Sequence, residues 1–131
     1  MELHLNIIGT VLIILVSMHL FFPKRFNWKT ELNHLSLLNR QMIQVHTFFI
    51  ALLLLMIGIL CIFYSYELIH SEFGKVIAGG LSIFWFIRLI FQLFVYSPQL
   101  WKGKVFETFM HVLFTFIWTY MSIIFGMIAW A

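Results

Sequence analysis

Charge is what this sequence has least of. Lys, Arg, Asp and Glu make up 10% of its 131 residues, where a soluble domain carries ~25%. Hydrophobic residues make up 63% and mean hydropathy is +1.00, so the chain reads as an integral membrane protein. Cysteine is nearly absent. A lone Cys61 excludes an internal disulfide and, with no CxxC pair, a thiolate zinc or iron–sulfur signature. Motifs are also missing: there is no HExxH and no HxxH, and the Glu107-to-His111 spacing is not repeated on a second span, which argues against a fully ligated di-iron site. No inverted repeat and no matching pair of Gly/Pro-broken spans points to a secondary transporter. The first residues, MELH, carry no basic n-region and no A-x-A-like site follows, so the first span is expected to be retained and not cleaved as a signal peptide.

What is present is four apolar runs, Leu3 to Phe22, Val45 to Tyr64, Val76 to Tyr96 and Val105 to Trp130. Each approaches or exceeds the ~20 residues that carry a helix across ~30 Å of hydrocarbon. The expected fold is all-α: a four-helix transmembrane bundle, up-down-up-down, forming a single integral membrane domain over 1–131 with spans at about 3–22, 42–64, 76–97 and 105–130. Between the first two spans, Trp28, Leu32 and Leu35 recur at i, i+4 and i+7 behind a possible cap at Asn27. That spacing predicts a short amphipathic interfacial helix over about 27–35. Ser36 is placed to cap the next helix.

Loop charge orients the chain. Lys24, Arg25, Lys29, Arg40, Lys102 and Lys104 lie in the first and third loops, against Lys75 in the second. By the positive-inside rule both termini face out and loops one and three are cytoplasmic, in a plasma or inner membrane. The same rule accounts for the net charge of +3 without a nucleic-acid partner.

Two polar stripes run through the apolar spans. At ~100° per residue, Glu107, His111, Thr115, Trp118 and Ser122 share an arc of about 80°, and so do Leu81, Trp85, Arg88, Gln92 and Tyr96. Ionisable side chains in hydrocarbon cost at least ~2.5 kcal/mol each unless they face protein, water or a ligand. Arg88 stands out. It lies ~14 Å along its helix from the Ser97–Pro98 boundary and requires an anion, an aromatic face or carbonyl oxygens. The short third loop makes the last two spans antiparallel neighbours, which brings Gln92 and Tyr96 level with Glu107 and His111, and Arg88 level with Thr115. In the first span Asn6, Thr10 and Ser17 share a ~40° arc that suggests close helix packing, and Thr47, Gly58 and Cys61 suggest the same for the second.

Three functions are compatible with these residues. The first is a haem or a transition metal (Fe, Zn or Cu) held by His46, His111, Glu107 and His19, with a redox or ligand-binding role. The second is an accessory subunit of a larger membrane complex, or a homo-oligomer, whose polar stripes are only a packing seam. The third is a membrane enzyme or carrier that binds a lipid or quinone through Arg88, Gln92, Tyr96 and Arg40, with Glu107 and His111 as acid–base partners. No serine triad is expected, since Ser122 is ~16 Å along the helix from His111. The topology is testable with single cysteines: a membrane-impermeant thiol reagent applied to intact cells should label Ser71→Cys and spare Lys29→Cys, and the reverse pattern would invert the assignment.

Overall fold

The computed structural model describes residues 1–25, 30, 32–95 and 103–130. Among these residues there is no strand, and helix accounts for nearly everything. Five α-helices follow in order: α1 (Glu2–Arg25), α2 (Leu37–Phe63), α3 (Ser65–His70), α4 (Glu72–Ile90) and α5 (Val105–Trp130). A 3-10 turn at Leu32–His34 precedes α2, and α4 runs on as a π-helical segment at Phe91–Val95. Four stretches, Glu2–Phe21, Leu37–Phe63, Glu72–Phe94 and Val105–Trp130, are long and apolar enough to cross a membrane, with mean hydropathies of 1.8 to 2.7. The chain is an all-α membrane protein with four membrane-length helices.

The chain divides into two compact units, residues 3–65 and residues 66–131 with the first two residues. In the first, α1 and α2 meet at glycine. A Cβ on Gly9 would lie 2.8 Å from the Gly58 carbonyl, and one on Gly58 would lie 3.1 Å from the Gly9 carbonyl, so two backbones approach as only small residues permit. Gly58 was legible as a contact; its partner Gly9 was not. The Asn6, Thr10 and Ser17 face is exposed and corrects the packing expected of it. Thr10 donates to the Asn6 carbonyl at 2.9 Å and Ser17 to that of Ile13, so these hydroxyls are satisfied within their own helix. The buried stripe of α1 is Leu5, Ile8, Leu12 and Leu15. Ser36 caps α2 as expected, accepting from the Asn39 amide at 3.2 Å. The interfacial helix over 27–35 falls mostly outside the described residues, Trp28 included; within them Thr30 is helical and Leu32–His34 forms a 3-10 turn.

In the second unit a turn decides where the third span begins. Ser71 donates to the Glu67 carbonyl at 2.6 Å and accepts from the Gly74 amide at 2.8 Å, closing α3 and capping α4 with one side chain. The helix therefore starts at Glu72, four residues ahead of the apolar run at Val76. Gly74 is pressed against this turn, where a Cβ would collide with the backbone of Glu67 and Leu68.

Helices α4 and α5 then pack along their length. Ala78, Trp85 and Gln92, seven residues apart, are buried on α4; Trp118, Met121, Phe125 and Ile128, at alternating spacings of three and four, are buried on α5. That is the seam expected of two long helices crossing at a shallow angle. Ser82 on α4 donates across it to the Ser122 carbonyl at 2.8 Å, close over Gly126.

The glycines of this unit separate cleanly. Gly74→Ala should destabilise the protein by about 1–3 kcal/mol, because the added methyl meets backbone that cannot yield. Gly80→Ala, whose Cβ would meet nothing within 4 Å, should be neutral or gain up to ~1 kcal/mol of helix propensity. Thermal unfolding in mild detergent measures both, and equal effects would contradict the tight α3–α4 turn.

Candidate functional site

Gln92 is the most buried polar residue among those described, 6% exposed, and it sits in the π-helical segment that ends the third span. A π turn widens the helix by one residue and recurs at functional sites. A buried amide must be paired at both ends, and here it is. Its Oε1 accepts from Arg88 Nη1 at 3.4 Å, and its Nε2 donates to His111 Nδ1 on α5 at 3.0 Å. Arg88, Gln92 and His111 thus form one hydrogen-bonded chain across the α4–α5 seam. This is the level match expected from the short third loop.

Arg88 also uses the aromatic face that its chemistry requires. Its guanidinium carbon lies 5.2 Å from the Trp118 ring centroid, within cation–π range. Trp118 stacks on Trp85 at 5.0 Å with planes 6° apart and on Phe114 at 5.5 Å. Both indoles are buried, and neither indole N–H has an acceptor among the described residues.

Below this chain α5 presents a ladder of hydroxyls. Thr115 donates to the His111 carbonyl and Thr119 to the Thr115 carbonyl, each at 2.8 Å. Having spent their protons on the helix, these oxygens face outward as acceptors only. They line a surface cleft of about 400 Å³ together with His111, Leu93, Val112 and Phe116. His111 therefore belongs both to the buried chain and to the cleft wall.

The other expected site residues are distributed differently. Glu107, one turn before His111, is half-buried and takes no part in the chain. Tyr96 lies outside the described residues. His46 is exposed on α2, and it belongs to the other unit together with the half-buried His19 of α1 and Arg40 of α2. His19 donates from Nδ1 to the Leu15 carbonyl at 2.7 Å, and Arg40 donates to Asn33 Oδ1 at 3.3 Å, steadying the turn before α2. Among the described residues no group of three or more His, Cys, Asp or Glu is placed to hold a metal ion. Sequence reasoning did not single out Thr119, Phe116 or Leu93; the i, i+4 threonine pair was the available signal.

No family model, curated protein or solved structure matches this chain. The site must be argued from its own chemistry.

Gln92→Leu keeps the volume and removes both bonds. It should cost about 1–3 kcal/mol, since it leaves the Arg88 and His111 groups facing an apolar side chain inside the seam. Arg88→Lys should cost less but not be neutral, because a point charge cannot reproduce the planar contact with Trp118. Denaturation in detergent distinguishes the two, and a Gln92→Leu protein as stable as wild type would remove the chain from the account.

Proposed function

We propose that this membrane protein binds the head of a membrane-dissolved amphiphile, a quinone or a lipid, whose acceptor oxygens meet the donors of the α4–α5 seam beside the His111 cleft. One observation carries the reading: the seam buries two indole N–H groups, of Trp85 and Trp118, that have no acceptor among the described residues. An unmade bond of this kind costs about 1–3 kcal/mol, and hydrocarbon supplies nothing to make it. A carbonyl or anionic oxygen does. The cleft has room for such a molecule, with Leu93, Val112 and Phe116 to hold a tail and His111 on its wall toward a head.

Electrostatics favours an acceptor ligand over a cation at this point. Arg88 is linked to His111 through a single glutamine, so a metal ion on that imidazole would be opposed by a fixed positive charge in a low dielectric. The haem or metal reading drew on His46 and His19 together with His111 and Glu107, two pairs that belong to separate units. The accessory-subunit reading rests on exposed aromatics such as Phe48, Phe84 and Phe116, which suit lipid equally well. The orientation belongs to the same proposal: termini outside, with the site in the cytoplasmic half of a plasma or inner membrane.

The test is extraction of protein purified in mild detergent, with quinones and lipids quantified separately by mass spectrometry. Wild type should carry near-stoichiometric quinone or one enriched lipid. Arg88→Leu, and Thr119→Phe that fills the cleft, should each lower it about tenfold or more. Extracts unchanged by both variants would sink the reading, and a Soret band in the wild-type protein would move it to haem.

A further inference from the structure

The hydroxyls of Thr115 and Thr119 have a fixed direction. A backbone carbonyl can only accept, so in each 2.8 Å contact, Thr115 to the His111 carbonyl and Thr119 to the Thr115 carbonyl, the threonine supplies the hydrogen. A hydroxyl has one hydrogen. Once it is spent, the oxygen turns only lone pairs toward the cleft that both residues line. His111, the third polar residue of that wall, is already bonded into the seam through Nδ1, and Leu93, Val112 and Phe116 bring apolar side chains. The threonines therefore accept hydrogen bonds from an occupant and give none. Depth adds a second constraint. Helix α5 (Val105–Trp130) is about 39 Å long, and Thr115 and Thr119 stand about 15 and 21 Å along it, on either side of its midpoint. A charged or zwitterionic head that far into hydrocarbon would give up its hydration with no counter-charge from the threonines to replace it.

We propose that the cleft on α5 selects neutral amphiphiles whose head carries a hydroxyl, which donates its hydrogen to Thr115 or Thr119. The selectivity rests on the binding reading above and names the head that the cleft takes. An alcohol supplies the donor that the threonines lack, and it enters the middle of a bilayer uncharged. Its oxygen remains an acceptor as well, as the binding reading requires. Other occupants fit less well. A keto quinone, an ester or an ether sets lone pairs against lone pairs, and a phospholipid head is held at the surface by its charges. A second copy of the chain docked by this same face would bring the same two spent hydroxyls, again acceptor against acceptor. Two kinds of membrane molecule carry the required head: the reduced form of a quinone, with hydroxyls on its ring, and a glyceride with a free hydroxyl. Both present the same O–H to the threonines.

A methyl ether of either molecule keeps the oxygen and loses the donor, so each alcohol paired with its ether isolates the hydrogen bond. Native mass spectrometry of the full chain in mild detergent gives the affinities. One titration uses dioctanoylglycerol and its methyl ether; a second uses a short-chain hydroquinone, under reducing conditions, and its dimethyl ether. At least one alcohol should bind more tightly than its ether by about threefold to tenfold, the worth of one net hydrogen bond. Thr115→Val and Thr119→Val each keep the shape of the wall and remove one oxygen. Together they should bring the alcohol down to the level of its ether and leave the ether unchanged. An advantage in the glyceride pair alone, or in the hydroquinone pair alone, names the source and supports the selectivity. Equal binding of alcohol and ether in both pairs, or an advantage that survives in the folded double variant, would overturn the selectivity and leave the proposed function standing. Should the double variant fail to insert, the two single variants decide by the same comparison. Binding of no member of either pair would overturn the proposed function, and the selectivity with it.

Discussion

A primary amide buried between two helices in hydrocarbon has no water to fall back on, and the arrangement of the last two spans follows from meeting its needs. Gln92 asks for a donor at its oxygen and an acceptor at its nitrogen. Arg88, one turn earlier, supplies the first, and His111, on the facing helix, supplies the second. The direction of the chain matters as much as its existence: a strong cation at one end polarises the amide toward the imidazole. Sliding α5 by one turn would leave Gln92 half-satisfied, at a cost comparable with a large core cavity. In a membrane, where apolar packing does not favour one register strongly over its neighbours, a polar contact of this kind is an effective way to fix it.

The aromatic residues have an unequal division of labour. Most of the phenylalanines are exposed, as a lipid-facing surface requires. Trp85 and Trp118 are buried and stacked face to face, and Trp118 also carries the Arg88 guanidinium. Cation and stack support each other. The stack fills the seam with a rigid surface at low side-chain entropy, and the surface gives the arginine a place to lie other than hydrocarbon. The cost is two indole N–H groups with no acceptor among the described residues.

Both units rely on glycine where backbones crowd, but for different ends. Gly9 and Gly58 let two long helices touch. Gly74 lets the short helix α3 turn directly into α4 under the two-sided bond of Ser71. Gly79 and Gly80, conspicuous as a pair in the sequence, face ordinary contact and open space. Neighbouring glycines on one helix point in different directions, so a pair cannot both lie in a contact.

How much was legible follows from the range of each interaction. Hydropathy and 3.6-residue periodicity are properties of the chain alone. They determined four membrane-length helices, the Ser36 cap, the apolar last span from Val105 to Trp130, and the two polar stripes, with Gln92 at the height of His111 and Arg88 at that of Thr115. Periodicity says which residues share a face. It does not say which faces meet, and it treated Asn6, Thr10 and Ser17 as a contact although their hydroxyls bond at home. It also assumed a regular helix through Gln92, where the chain widens into a π turn. Only the tertiary structure decided that Gln92 reaches Nδ1 of His111, that Trp118 lies between Trp85 and the arginine's needs, and that Thr115 and Thr119 open a cleft. The physical reason is that hydrogen bonding and stacking depend on ångström distances and on which atom of a side chain faces which. One-dimensional spacing carries residue identities and angles, and the orientation of an amide is settled only when both of its neighbours are in place.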